Sequence, residues 1–410
     1  MKPPSPPSLP LIGHIPSFRR DVLGLLIRSV EEYGDHIRFK LGPHPVYVFN
    51  HPDDAYHVLK KNASNYDKET RSTRFLRDIA DESLLTSNGK QWQKRRQHLQ
   101  PAFHRKAIVG FETIMQEEAQ ALFESWEQQT QVNASADLTT TTFRIVARAL
   151  FGTDIPRDTL TSLAAPIGQL LTESFTRLGS PTRRKARQFI ESKRQLDEVV
   201  TSIIENRTSS PETPDLLELI KSGNSDPNYI HHESISFLLA GNETTANALS
   251  WMLAFLVQHP EEQERCASDP EAIDRAFHET MRLAPPIWIV ERHALGDDQV
   301  SGYDVPKGAS ITIPTYTMHR HRDFWDEPDR FNPDRFINAD LHPAAYIPFG
   351  IGPRVCIGKE FALMEARIIA SVLLPKLRFS LASDATPEPE AAITLRIKGE
   401  LHLKLEPRKA

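Results

Sequence analysis

The stretch PFGIGPRVCIG, Pro348 to Gly358, sets one of the chain's two cysteines, Cys356, in a loop punctuated by glycines. The residues that follow, KEFALMEARIIASVLLPKL, place Phe361, Leu363, Met364, Ala366, Ile368, Ile369, Val372 and Leu373 at the three-to-four spacing of a buried helix. Cys356 is therefore expected at or just before a helix N-terminus. A thiol in that position lies near unpaired backbone N–H groups and the positive end of the helix dipole, so its thiolate is favoured. That suits a nucleophile or a metal ligand.

The other cysteine, Cys266, lies in the polar run EEQERCASDP and reads as an ordinary surface or boundary thiol. The two make no disulfide framework and no CxxC pair. A net charge of -5 over 410 residues gives no general attraction to nucleic acid or to anionic membrane. No stretch approaches the roughly 20 apolar residues of a membrane helix, and MKPPSPPSLPLIGHIP lacks the apolar core of a signal peptide. A soluble, cytoplasmic, monomeric protein without a membrane span is expected. Nothing along the chain looks like a flexible joint, so residues 1–410 are expected to form one large domain.

Six prolines in the first 16 residues predict an extended lead-in. HIRFKLGPHPVYVFN alternates about a GPHP turn and predicts a hairpin. From there to about residue 285 helical periodicity dominates, as in the amphipathic run Ile108 to Trp126. The longest candidate is Asn228 to His259, about 48 Å at 1.5 Å per residue. Proline-rich loops and short strands follow, and ITLRIKGELHLKL predicts a second hairpin about its KGE turn. The fold class is mainly α with a minor β region.

Two chemistries for Cys356 lack their partners. A nucleophile wants a histidine base, and none lies close in sequence; zinc wants more thiols or histidines at short spacing. The glycines leave room for something flat and large above the sulfur, and a single thiolate ligand on haem iron fits better. FGIGPRVCIG resembles the haem-binding loop of the cytochrome P450 superfamily, FGxGxRxCxG. Three further signatures follow in that family's order across most of the chain. AGNETT, Ala240 to Thr245, resembles its oxygen-activating motif AGxETT; ETMR, Glu279 to Arg282, matches ExxR; and WQKRR, Trp92 to Arg96, resembles WxxxR.

The resemblance implies a haem b with an axial thiolate from Cys356, placed between the long central helix and the cysteine-loop helix. Glu243 and Thr244 become an acid and alcohol pair that relays the protons dioxygen needs before its O–O bond breaks. The glycine and a threonine hydroxyl bonded to an i-4 carbonyl predict a local opening of the helix there. Trp92 and Arg96, one helical turn apart, can point at one anion, which in the family is a haem propionate. Arg292 in VERHAL and Arg354 match further propionate positions, and Phe349 and Gly358 match cofactor-facing positions of the loop. Glu279 and Arg282 with Arg335 of FNPDRF become a buried structural cluster; Asp334 stands where the family often has Glu. His319, in a stretch similar to HRDxxxWxxPxxF, is read as structural, and His231 and His232 as solvated.

A monooxygenase is thus implied, hydroxylating a C–H bond or epoxidising a C=C bond of a lipophilic substrate with O2. Phe237, Leu238, Ala240, Ile287, Trp288, Ile289 and Val290 are its candidate contacts, with the loop from Arg71 to Ser87 and the region Leu160 to Phe189 as a lid. The basic run TRRKAR, Thr182 to Arg187, could meet a substrate carboxylate. No flavin or nucleotide motif is present, so a ferredoxin or flavodoxin is expected to supply electrons. Lys94, Arg95, Arg105 and Lys106 form its candidate docking patch, with Arg96 turned inward. The rival readings are a peroxide-dependent or isomerising haem-thiolate enzyme, which the ETT pair disfavours, and a haem-based gas sensor, which lacks an output domain. The opening prolines resemble bacterial members, whereas PRVC is commoner in the eukaryotic-like branch.

Overall fold

A computed structural model describes residues 1–152, 170, 183–206 and 215–408. These form two compact units. One comprises Met1–Thr73 and His278–Cys356; the other comprises Arg74–Phe277 and Ile357–Ala410.

The first unit carries a five-stranded sheet. The hairpin read from sequence forms, His36–Leu41 pairing antiparallel with His44–Phe49 so that Leu41 faces His44. Ser310–Ile313 joins it in parallel, Val290–Ala294 pairs antiparallel with Ser310–Ile313, and Tyr66–Asp67 closes the far edge. Tyr47, Phe49, Val58, Ile311, Ile313 and Ile347 share its core. The proline-rich start has no helix before Ile15, and Arg38 N–H bonds to the Pro4 carbonyl, so the lead-in lies along the sheet edge.

The second unit is mostly helical. Its long helix, Pro227–Gln258, begins where Asp226 accepts from the Asn228 N–H at 3.0 Å and Pro227 takes the first turn, a position that needs no donor. It packs against Ala134–Phe151 and against Lys359–Leu373, the helix expected after the cysteine. Gly241 permits the first contact, since a Cβ there would lie 2.7 Å from Val146 Cγ2.

Three expectations are corrected. The KGE hairpin does not form: Leu395–Ile397 pairs back with Pro389–Ala391, while His402–Pro407 pairs with Leu377–Leu381 and Gln131–Asn133. Alternation fixes which face of a strand is buried but not its partner. Cys266 is buried, not a surface thiol, and burial pushes it up to about 12. The proposed lid loop opens with a helix, Arg71–Ala80. The remaining lid region, Leu160 to Phe189, and the basic run at Thr182 lie largely outside the described residues.

Candidate functional site

The cysteine loop is shaped by two glycines in the left-handed region, Gly350 at φ 72° and Gly352 at φ 77°. At Gly352 a Cβ would lie 2.0 Å from the Leu59 carbonyl oxygen, so the loop can approach that backbone only without a side chain. The Cys356 N–H donates to the Phe349 carbonyl at 2.9 Å, closing the loop, and the Cys356 side chain is exposed. Gly358 caps Lys359–Leu373 with its carbonyl, which accepts from the Ala362 N–H at 2.9 Å.

Behind this loop, in the same unit, lies the ExxR cluster. Glu279 and Arg282 have no exposed surface, and two guanidinium nitrogens of Arg282 donate to the two carboxylate oxygens at 2.7 and 2.8 Å. Arg335 Nε donates to the same carboxylate at 3.2 Å, and so does the Asn332 N–H at 2.9 Å. Arg282 also donates to the carbonyls of His319, Pro328 and Arg330 and stacks on Trp325. His319 is equally buried. Its Nε2 accepts from the Ile347 N–H at 2.9 Å, so His319, through its ring and its carbonyl, ties the stretch of chain that enters the cysteine loop to Arg282 of the ETMR helix. Burial and the nearby Arg282 and Arg320 charges hold His319 down to about 3. Glu279, Arg282, Arg335 and His319 thus belong to one hydrogen-bonded cluster.

Arg292 and Arg354 converge on a residue the sequence did not single out, Lys68. Arg292 is buried and held down to about 10 by that burial, against the pull of Asp67. Lys68 is lowered to about 7, first by desolvation and then by repulsion from Arg292 and Arg354, with Glu291 pulling the other way. The Glu291 carboxyl, bonded by the Ser72 hydroxyl, is itself raised by burial, and Asp67 is engaged by His293 at 3.1 Å. Three clustered cations, two of them lowered by burial, suit an added dicarboxylate.

In the second unit, Trp92 and Arg96 lie half-buried on Gly89–Leu99. Their neighbour Arg95 departs from expectation. It is buried, donates to Glu233 of the long helix at 2.5 Å, and lies over the Tyr229 ring. The Leu84 N–H adds bonds of 3.0 and 3.1 Å to the same carboxylate. A buried guanidinium needs such a partner, so Arg95 is withdrawn from the docking patch. Lys94, Arg105 and Lys106 are exposed. His231 and His232 are half-buried rather than solvated, with Asp197 and Asp81 as their acidic neighbours.

Along the long helix most side chains are buried, yet at its middle Ala240 is exposed and Gly241, Glu243 and Thr244 are half-buried. The Thr244 hydroxyl donates to the Ala240 carbonyl at 2.9 Å, the i-4 bond expected. No local opening accompanies it; the backbone stays helical through the motif, and Gly241 serves close packing instead. Glu243 Oε1 accepts from the Thr394 hydroxyl at 2.8 Å, and its carboxyl is raised by burial. Of the substrate candidates, Ala240 and Ile287 are exposed and Ile289 and Val290 half-buried. Phe237 is buried against Phe103. Leu238 has no exposed surface and belongs to helix packing, and Trp288 is buried. Among the described residues no helix is long and apolar enough to cross a membrane.

A family model described as Cytochrome P450 matches residues 3–403. The chain belongs to the cytochrome P450 family, and it is a haem-thiolate monooxygenase. It is 28% identical to Pentalenene oxygenase of Streptomyces avermitilis, covering 98% of this chain and 97% of that one. With Cyclooctatin synthase of Streptomyces melanosporofaciens it shares 27% over 98% and 95% of the two chains. Among solved structures it is similar to the cytochrome P450DA haem domain, with TM-score 0.91 and 24% identity over 100% and 98% of the chains. CYP175A1 from Thermus thermophilus matches at TM-score 0.84 and 26% identity over 100% of both chains.

The residues present fit the haem that the family implies. An exposed thiol of the kind that ligates haem iron ends a loop that approaches the Leu59 backbone only because Gly352 has no side chain, and the clustered cations Lys68, Arg292 and Arg354 suit propionates. The sequence missed Lys68 and Thr394 because single residues in loops leave no periodic or spaced signature.

Proposed function

We propose that this monooxygenase hydroxylates or epoxidises a lipophilic small molecule of terpene type, with electrons from a separate ferredoxin or flavodoxin. Cys356 would ligate the iron, and Lys68, Arg292, Arg354, Trp92 and Arg96 would hold the propionates, with Phe349 and Gly358 against the ring. When bound, the haem supplies the activation of O2 and the thiolate donates the electron density that favours O–O cleavage. The chain's own contribution is proton handling and substrate placement. Glu243, whose carboxyl is raised by burial, is suited to take up and release a proton, and Thr244 offers a hydroxyl one residue on. Phe237, Ala240, Ile287, Ile289 and Val290 offer apolar contacts that bind by shape.

The observation that carries the reading is that Ala240 is exposed and Glu243 and Thr244 are half-buried in the middle of a mostly buried helix, in a chain whose cysteine loop presents an exposed thiol. The names of the two Streptomyces relatives support a terpene substrate. One family model running over residues 3–403 supports a single catalytic domain spanning residues 1–410. The test is a panel of terpene hydrocarbons, fatty acids and polyketides, scored by the absorbance shift on displacement of the iron's water ligand and by oxygenated product with a surrogate ferredoxin. Terpene-selective shifts with product are expected. Product from peroxide alone, with none from O2 and reductant, would overturn the reading in favour of the peroxide-dependent alternative.

A further inference from the structure

Thr394 sits immediately before the short strand Leu395–Ile397 and is buried. Its hydroxyl makes two bonds with opposite roles. It donates to Glu243 Oε1 at 2.8 Å and accepts from Asn247 Nδ2 at 3.0 Å. A hydroxyl has one proton. With Asn247 occupying its acceptor side, that proton is directed at the carboxylate, and Asn247 lies one turn beyond Glu243 on the same helix. The three side chains therefore form one hydrogen-bonded unit in which the helix supplies both ends and the residue before the strand supplies the middle.

We propose that Thr394, held by Asn247, is a positioning residue that fixes one carboxylate oxygen of Glu243 and sets how readily this carboxylate takes and releases a proton. This rests on the monooxygenase reading only for its consequence, since the hydrogen-bonded unit belongs to the chain itself. The direction follows from hydrogen-bond chemistry. A donor that serves the ionised carboxylate stabilises it and lowers its proton affinity, opposing the upward push of burial. The charge that also reaches Glu243 is Arg396, two residues further along the chain, and its effect is shared because Arg396 Nε donates to Glu390 at 2.7 Å. With the oxygen bonded by Thr394 occupied, protonation is left to Oε2. Thr394 thus leaves one oxygen for proton exchange and counters part of the upward push of burial.

The test is an infrared pH titration of the purified holoprotein, without turnover, in which the protonated-carboxyl band of Glu243 is assigned by its loss in Glu243→Gln. Thr394→Val, which keeps the shape and removes the hydroxyl, is expected to raise the midpoint by about one to two pH units, the shift equivalent to losing one hydrogen bond to a charged group. Thr394→Ser should restore it, and Asn247→Ala, which leaves the donor but frees it to rotate, should give a smaller rise in the same direction. If Thr394→Val does not fold, the Asn247→Ala shift decides. A midpoint unchanged in these variants, or no band sensitive to Glu243→Gln in any of them, overturns the proposal. As a second readout, Thr394→Val should divert several-fold more reductant to hydrogen peroxide than wild type, with Thr394→Ser close to wild type. A shifted midpoint in a protein that never makes oxygenated product would uphold the Thr394 assignment and sink the monooxygenase reading instead.

Discussion

Arg282 grips Glu279 with two hydrogen bonds, 2.7 and 2.8 Å, in a pair with no exposed surface. Residues three apart on a helix share a face, which makes the pair possible; what makes it matter is that neither charge has water to fall back on. Glu279→Ala would strand two guanidinium groups, Arg282 and Arg335, behind the cysteine loop. The expected cost is roughly 3–5 kcal/mol, read from denaturant midpoints. Arg282→Lys should recover little of the loss caused by Arg282→Ala, because an ammonium cannot reproduce the fork that also reaches three carbonyls. Equal stability of the lysine variant and wild type would count against this account.

The glycine pair in the loop gives a sharper comparison. Both Gly350 and Gly352 have positive φ, but only Gly352 has a backbone oxygen where a Cβ would sit. Gly350→Ala should cost about 1–2 kcal/mol, the strain of a left-handed alanine. Gly352→Ala adds an overlap with Leu59 that the backbone must move to relieve, for roughly 2–5 kcal/mol in total. Haem content per mole of purified protein should fall in the second variant and hold in the first. Matching haem content in both would show that the Leu59 approach does not shape the thiolate loop.

What could be read from sequence divides along physical lines. Motifs whose chemistry needs fixed spacing, such as Glu279 with Arg282 or Thr244 with the Ala240 carbonyl, were legible because a helix converts spacing directly into geometry. Arg95 was misread because three adjacent cations on one helix cannot be assigned to faces without knowing that Glu233 waits on another helix. The terminal hairpin failed for a related reason: Leu395 and Leu403 each fit an alternating strand, but strand partners are chosen by the whole unit. Lys68 and Thr394 were invisible, since their significance lies in what approaches them and not in any pattern around them.

His319 should make the protein acid-sensitive in a defined window. Its folded value of about 3 lies below the 6.5 of an ordinary histidine, so between the two the unfolded chain binds a proton that the folded chain refuses. Stability contributed by the neutral ring is complete above pH 6.5 and is lost as pH falls toward 3, at up to about 1.4 kcal/mol per pH unit. His319→Gln keeps an acceptor for the Ile347 N–H and cannot titrate. Its unfolding midpoint should be lower than wild type at about pH 8 and fall less steeply between roughly pH 6.5 and 4. Parallel pH profiles would remove His319 as the source.

Lys68 gives a dependence of the same sign in a higher pH window, in haem-free protein. Its folded value of about 7 lies below that of a free lysine, so the penalty for burying its charge is full below pH 7 and relaxes as pH rises toward the unfolded value near 10.5. Haem-free protein should therefore gain stability over that window, and Lys68→Met should flatten the gain while weakening haem retention. Haem dissociation to a scavenging globin, measured near neutral pH, checks the second half. Unchanged dissociation in Lys68→Met would exclude Lys68 as a propionate contact.

Docking of an acidic electron donor would depend on which cations remain outside. Arg105 and Lys106 are exposed on a helix, Arg105–Ile108, that packs against the helix following Cys356, and Lys94 is exposed on Gly89–Leu99. An acidic donor would be steered by these three, and steering acts on association rate and is screened by salt. Arg105→Glu combined with Lys106→Glu should slow reduction by a surrogate ferredoxin at least several-fold at low salt, with the difference shrinking as ionic strength rises. Arg95→Glu should behave differently, because its partner is the buried Glu233 carboxylate: it places two acids together and should lower folding stability at every salt concentration. If the double variant is reduced as fast as wild type with the same salt dependence, the donor docks elsewhere, and the exposed cations at this end serve only solvation.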